Sequence, residues 1–199
     1  MWVIARLLNR IRSGEAADIA ILTAEAIDQL TGEGVLAPGS RVDLALSAVG
    51  LAVRAGAPRP EIGSVVTLKS ALLEAESIAY SKIGASGVFF ADLIQRLGIA
   101  KEVNAKARII PSGFTAELVA SGEAELAVQQ VSELMMVPGI EVVARLPSEI
   151  QSVTTFSAGL FTGSAHREAA TRLVEILSSR ESIPILETSG LDPVARDRA

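Results

Sequence analysis

Short apolar runs alternate with helically periodic segments along most of this sequence, and that alternation restricts its fold more than any other feature. Residues 17–22 read as a buried strand, and residues 24–30 as a helix closed by Gly32 and Gly34. After the Pro38-Gly39-Ser40 turn, residues 42–53 form a long extended segment. Ser64 caps a helix running to Glu74, with Val65, Leu68, Leu72 and Leu73 at helical spacing. A strand over 77–80 leads through Gly84-Ala85-Ser86-Gly87 into a helix that stops at Leu97-Gly98. A strand over 105–110 leads through Pro111-Ser112-Gly113 into a helix over 114–120, closed by Gly122. Strands over 125–129, 141–145 and 152–160 and helices over 165–177 and 183–188 complete the order. Strands separated by helices of about ten to fifteen residues pair in parallel. The spacing therefore predicts an α/β fold of mostly parallel sheets, with right-handed crossovers and helices on both faces.

Composition narrows the function. Half of the 199 residues are apolar and only 4% aromatic, so the core is built from Ala, Val, Leu and Ile. A net charge of −5, with no basic run beside aromatic residues, excludes a nucleic-acid partner. Absence of cysteine excludes disulfides, thiol catalysis and cysteine-bound zinc. No apolar stretch reaches the roughly eighteen uncharged residues of a transmembrane helix. The first ten residues are not a signal peptide in pattern, because their positive charges follow the apolar ones. They form an amphipathic helix with Val3, Leu7, Leu8 and Ile11 on one face, expected to pack on a sheet rather than on a membrane surface.

Enzymatic machinery is not visible. His166, the only histidine, falls in the first turn of a helix, with no nucleophile or orienting partner to make it a base. Gly84-Ala85-Ser86-Gly87-Val88 is not a nucleophile elbow, since the glycine comes one position early. No zinc motif, phosphate-binding loop or dinucleotide fingerprint occurs. Glu117 and Glu133 read as helix-surface residues. The expectation is a protein without catalytic residues, metal or cofactor.

What is present is a repeated element: a small, hydroxyl-bearing turn at a helix N-terminus, on the carboxyl side of a strand. It occurs at Gly84-Ala85-Ser86-Gly87 and again at Pro111-Ser112-Gly113, and the next strand ends in Gln129-Gln130. Ligands bind at such edges in open α/β sheets, and free N–H groups with the positive end of a helix dipole suit an anion. Either turn alone is equally an ordinary N-cap.

Several runs resemble the molybdate-binding family of extracellular solute-binding proteins. They are Gly14 to Leu22, Arg41-Val42-Asp43-Leu44, Ser86-Gly87-Val88-Phe89-Phe90-Ala91 with Leu97-Gly98, Glu117 to Val128, and Ser189-Gly190-Leu191. The resemblance implies a two-lobed, type II periplasmic-binding fold that serves an ABC importer, closing over a solute between the lobes. Residues 1–54 and 157–199 would form the first lobe, and 55–156 the second. Ligand contacts would fall at Ala85, Ser86, Gly87, Ser112, Gly113 and Gln130. At Gln130 the molybdate binders are expected to carry tyrosine. Because glutamine both donates and accepts, a small organic acid suits the site as well as a tetrahedral oxyanion.

The family's opening strand, helix and strand have no counterpart ahead of Trp2, so the first lobe is expected to be incomplete. With charge-assisted hydrogen bonds contributing about 1.5–3 kcal/mol each, loss of the loops they carry implies weak molybdate affinity. It also implies a homo-oligomer formed through the uncovered lobe. The implied partners are a small anionic or polar solute and an ABC permease. The implied location is the periplasm, although this stretch carries no export signal and would stay cytoplasmic as a complete product. Two alternatives remain: the effector-sensing part of a transcription regulator without its DNA-binding module, and a degenerate binding protein outside transport.

Overall fold

A computed structural model describes residues 2–194, with side chains from residue 6 onward. The elements in chain order begin with α1 (Trp2–Arg12), β1 (Ile19–Thr23), α2 (Ala24–Gly32), β2 (Val42–Arg54) and α3 (Val65–Glu74). There follow β3 (Ile78–Ser81), α4 (Ala85–Arg96), α5 (Ala100–Ala105), β4 (Ala107–Ile110), α6 (Thr115–Ser121), β5 (Leu126–Gln130) and α7 (Val131–Leu134). Last come β6 (Ile140–Arg145), β7 (Val153–Leu160), α8 (Arg167–Leu177), α9 (Ile183–Thr188) and the short β8 (Asp192–Pro193). They form two compact units, one made of residues up to Ser47 and from Thr154 onward, the other of Ala48–Val153.

In the Ala48–Val153 unit the strands carry large and small residues at alternate positions, so each sheet face has its own depth. Leu51, Val53, Ile78, Tyr80, Leu126 and Val128 lie in one core with Leu68 and Leu72 of α3 and Phe90, Leu93 and Ile94 of α4. Their neighbours Ala52, Ala79 and Ala127 lie in the other, with Ala116 and Val119 of α6 and Leu134. The shallow alanine face lets α6 approach closely, while the bulky face holds α3 and α4. Tyr80 also meets Phe90 edge-on at 5.2 Å and donates its hydroxyl to Asn104 Oδ1 at 2.7 Å.

Pairing within this unit runs β2–β5–β3–β4, with β6 on the other side of β2. Parallel pairing joins β3 with β4 and β3 with β5. β1–β7, β2–β5, β2–β6 and β2–β8 are antiparallel, and β7 also lies beside β2. The expected mostly parallel arrangement is thus limited to the stretch where helices join successive strands. β2 meets strands far along the chain, whose direction no local spacing dictates.

In the other unit, Leu22, Ile27, Leu30, Leu36 and Phe161 form a core, and Leu7, Leu8 and Ile11 of α1 pack against it. The first helix is therefore a packing helix; the Val3 side chain lies outside the described residues. Opposite, Ala158 and Leu160 of β7 meet Ala170 and Val174 of α8. Arg41 joins Asp43 at 2.8 Å and Asp28 at 2.6 Å, and Ser157 Oγ donates to Asp43 at 2.6 Å. These bonds fix the start of β2 beside α2 and β7, and hold the Asp43 carboxyl below the usual range, Arg41 contributing most.

Local chemistry sets the helix ends. Ser64 and Thr67 form a reciprocal capping box at the start of α3. α5 and α7 are the two helices that periodicity does not predict: α5 buries only Val103, and α7 is a single turn.

Phe90 is fully buried between α4 and the bulky sheet face. Phe90→Ala is expected to lower the stability of the Ala48–Val153 unit by about 3–5 kcal/mol, read from urea unfolding followed by circular dichroism. A loss below about 1 kcal/mol would contradict this packing.

Candidate functional site

The three parallel strands point the same way, so Ser81, Ile110 and Gln130 end β3, β4 and β5 at one edge. From β3 the chain passes through α4 and α5 to β4. It then returns through α6, past β3, to β5. Crossovers of one hand that travel in opposite directions must use opposite faces, and α4 and α6 do so. Connections diverging in this way leave a crevice between the carboxyl ends of β3 and β5, where open α/β sheets bind ligands.

The start of α4 forms one wall. Its N-cap is Gly84, no side chain caps it, and the first helical bond runs from Val88 N to Gly84 O at 2.9 Å. The amides of Ala85, Ser86 and Gly87 therefore have no acceptor within the helix. Ser86 and Gly87 are buried and Ala85 is exposed. A Cβ at Gly87 would lie 1.8 Å from the Ser81 carbonyl oxygen and 2.4 Å from Ser81 Oγ, and one at Gly84 would lie 2.6 Å from Ser81 Oγ. The helix thus begins hard against the end of β3. Ser81 is only 4% exposed, and its hydroxyl is buried without a hydrogen-bond partner. Sequence reading passes over Ser81, because a serine closing a strand carries no pattern; only the contact with two glycines reveals it.

The second turn is less open than its sequence implies. Ser112 and Gly113 are exposed, and Gly113 has φ 100°, a conformation that favours glycine. But α6 has seven residues, and its first amide is already taken. Thr115 N and Thr115 Oγ1 donate to Gln129 Oε1 at 2.8 and 2.9 Å, while Gln129 Nε2 donates to Gly113 O at 3.1 Å. Gln129 is therefore a cap supplied by the neighbouring strand. Gln130, also buried, takes the opposite face by the alternation of β5, the face that α4 covers.

Glu133 departs from the sequence reading, which places it on a helix surface. It is largely buried in the turn after β5, and its carboxyl accepts from the Gln129 side chain and the Gln130 backbone N–H. Burial pushes its acid up, and these two bonds offset part of the rise. Glu117 is exposed as expected. His166 is the N-cap of α8; its backbone N–H donates to Asp18 Oδ1 at 3.3 Å, and Ser164 Oγ donates to the same oxygen at 2.7 Å. Among the described residues no group of three acidic or histidine side chains could hold a metal ion, and no helix is long and apolar enough to cross a membrane.

The family model for bacterial extracellular solute-binding proteins matches residues 5–192. A Pseudomonas protein named aconitate isomerase is 41% identical over 187 residues, covering 94% of this chain and 71% of that protein. The periplasmic molybdate-binding protein of Azotobacter vinelandii superposes with a TM-score of 0.74 at 17% identity, over 96% of this chain and 84% of that one. The substrate-binding protein of an ABC transporter from Agrobacterium tumefaciens superposes with a TM-score of 0.70 at 17% identity, over 99% and 70%. The two structures share the type II periplasmic-binding fold with this chain.

Two outcomes follow from the site's packing and charge. Gln129→Leu strips Thr115 of its acceptor in a buried setting, so it is expected to cost about 1–3 kcal/mol in urea unfolding; an unchanged midpoint would contradict the cap. Because the Glu133 acid is raised, the folded protein binds that proton more tightly than the unfolded chain does. Stability is then lost as pH rises from the ordinary glutamate range through the raised value. Glu133→Gln should therefore be more stable than the wild type at neutral pH, with the gain shrinking as the medium is acidified into that range. A difference that does not vary with pH would contradict it.

Proposed function

This chain belongs to the bacterial extracellular solute-binding protein family, and we propose that it binds a small organic polycarboxylate in the crevice between β3 and β5. The observation that carries this reading is the bare start of α4, whose amides at Ala85, Ser86 and Gly87 open at the carboxyl edge with no side chain capping them. Three N–H groups without a helical acceptor and the positive end of a twelve-residue helix match a carboxylate. Ser112, Gly113 and Gln130 complete the proposed contacts. Gln130 suits a ligand that both accepts and donates hydrogen bonds. Lys82 follows Ser81 directly, is exposed, and forms no ion pair among the described residues, so it can meet a second carboxylate.

An organic acid is preferred to molybdate because the relative 41% identical across nearly the whole chain is named for an unsaturated tricarboxylate. In this first reading the protein is a binding component without catalysis, acting outside the cytoplasmic membrane and delivering its solute to an ABC permease. Self-association is part of the reading. Among the described residues β1 pairs only with β7, leaving an edge at which Ile21 is 48% exposed. The isomerase name of the same relative favours a second reading, in which the bound acid is a substrate.

A thermal-shift series with trans-aconitate, cis-aconitate, citrate and molybdate tests the ligand class. A polycarboxylate at a hundred times its Kd should add about 2.7 kcal/mol of stability, and molybdate none. Stabilisation by molybdate alone would overturn the proposal.

A further inference from the structure

Burial raises the Glu133 acid above the ordinary glutamate range, and simple solute capture has no use for such a carboxyl. Its position is more telling than its acidity. It follows Gln130 by three residues in the turn that closes β5, at the carboxyl edge where that strand ends. Its carboxyl is held by the Gln129 side chain and the Gln130 backbone N–H. Gln129 is itself fixed, because its carbonyl oxygen takes both donors of Thr115 and its amide reaches the Gly113 carbonyl. A carboxyl whose partner cannot rotate away keeps one orientation, as an acid–base group requires. The hydroxyl of Ser81, buried and unpartnered beneath the first turn of α4, is a polar group at the end of β3 that a bound ligand can satisfy.

We propose that Glu133 moves a proton on the bound acid, shifting the double bond of an unsaturated tricarboxylate such as aconitate and so exchanging its cis and trans forms. This rests on the polycarboxylate reading of the α4 site and extends it from binding to chemistry. The step balances within the substrate and one side chain. The Glu133 carboxylate takes a proton from the methylene carbon next to a carboxylate. The electron pair of that C–H bond forms a new double bond to the central carbon. The pair of the old double bond takes the proton back from Glu133 at the far end of the three-carbon span. Nothing is oxidised or reduced, and no group leaves. Negative charge builds on the substrate carboxylate between the two transfers, and the amides of Ala85, Ser86 and Gly87 stabilise it there. Gln129 acts as a positioning residue.

The test follows trans-aconitate in D2O by proton NMR with the purified full chain, alongside calorimetric titration of the same acid. The wild type is expected to bind, to form the cis isomer and to place deuterium at the methylene and vinyl carbons. Glu133→Gln should bind within a few-fold of the wild type yet lose at least about a hundredfold in isomerisation and exchange, the usual scale of one acid–base group. Exposed Glu117→Gln should behave as the wild type. If the wild type binds but neither isomerises nor exchanges the acid, the proton-transfer role is overturned while the binding site stands. The role also falls if Glu133→Gln exchanges at the wild-type rate, or loses binding altogether. If the wild type does not bind the acid, the polycarboxylate reading itself fails, and this inference with it.

Discussion

A methyl group at Gly87 would have to occupy the same space as the Ser81 carbonyl oxygen, 1.8 Å away. That single close approach decides where α4 begins. With glycine there, the helix starts against the end of β3 and its first amides open at the carboxyl edge of the parallel strands. With any side chain there, the first turn would have to lift. The opposed faces of α4 and α6, and the crevice between β3 and β5, depend on this junction and on the alternation that makes one sheet face deep and the other shallow.

Chemistry at the edge is divided between two helices. α4 presents its N–H groups uncapped, whereas α6 has Gln129 tied across its start. The same glutamine steadies Glu133, so the structural cap and the buried carboxyl belong to one connected network at the end of β5. A partly buried acid in the turn after β5, at the same strand edge where α4 begins uncapped, is a combination that solute capture alone does not call for. It is compatible with both the binding-protein fold and the isomerase name of a 41% identical relative.

The fold was readable wherever the cause is local. Ser64 with Thr67 announces α3, the Gly84-Ala85-Ser86-Gly87 run announces α4, and the length of β2 shows in its alternation. Strand direction was readable only across β3, β4 and β5, where successive strands are joined by helices. β2 pairs with β5 and β6 far along the chain, and nothing in its own residues says antiparallel. α5 was hidden because one buried valine makes no periodicity. At the site, Ala85, Ser86, Gly87 and Gln130 stood out as small or polar residues in a helix-opening pattern. Ser81 and the capping role of Gln129 did not, since both arise from contacts between separate elements. Glu133 looked solvated because a four-residue helix has no face that sequence spacing can define.

In the proposed function the first turn of α4 receives the carboxylate. Titrating trans-aconitate into nitrogen-15-labelled protein and following backbone amide shifts tests it most directly. The largest changes are expected at Ala85, Ser86, Gly87 and Gln130, saturating together. Changes confined to the other unit, around Ser40 and Arg41, with the α4 amides unmoved, would contradict it.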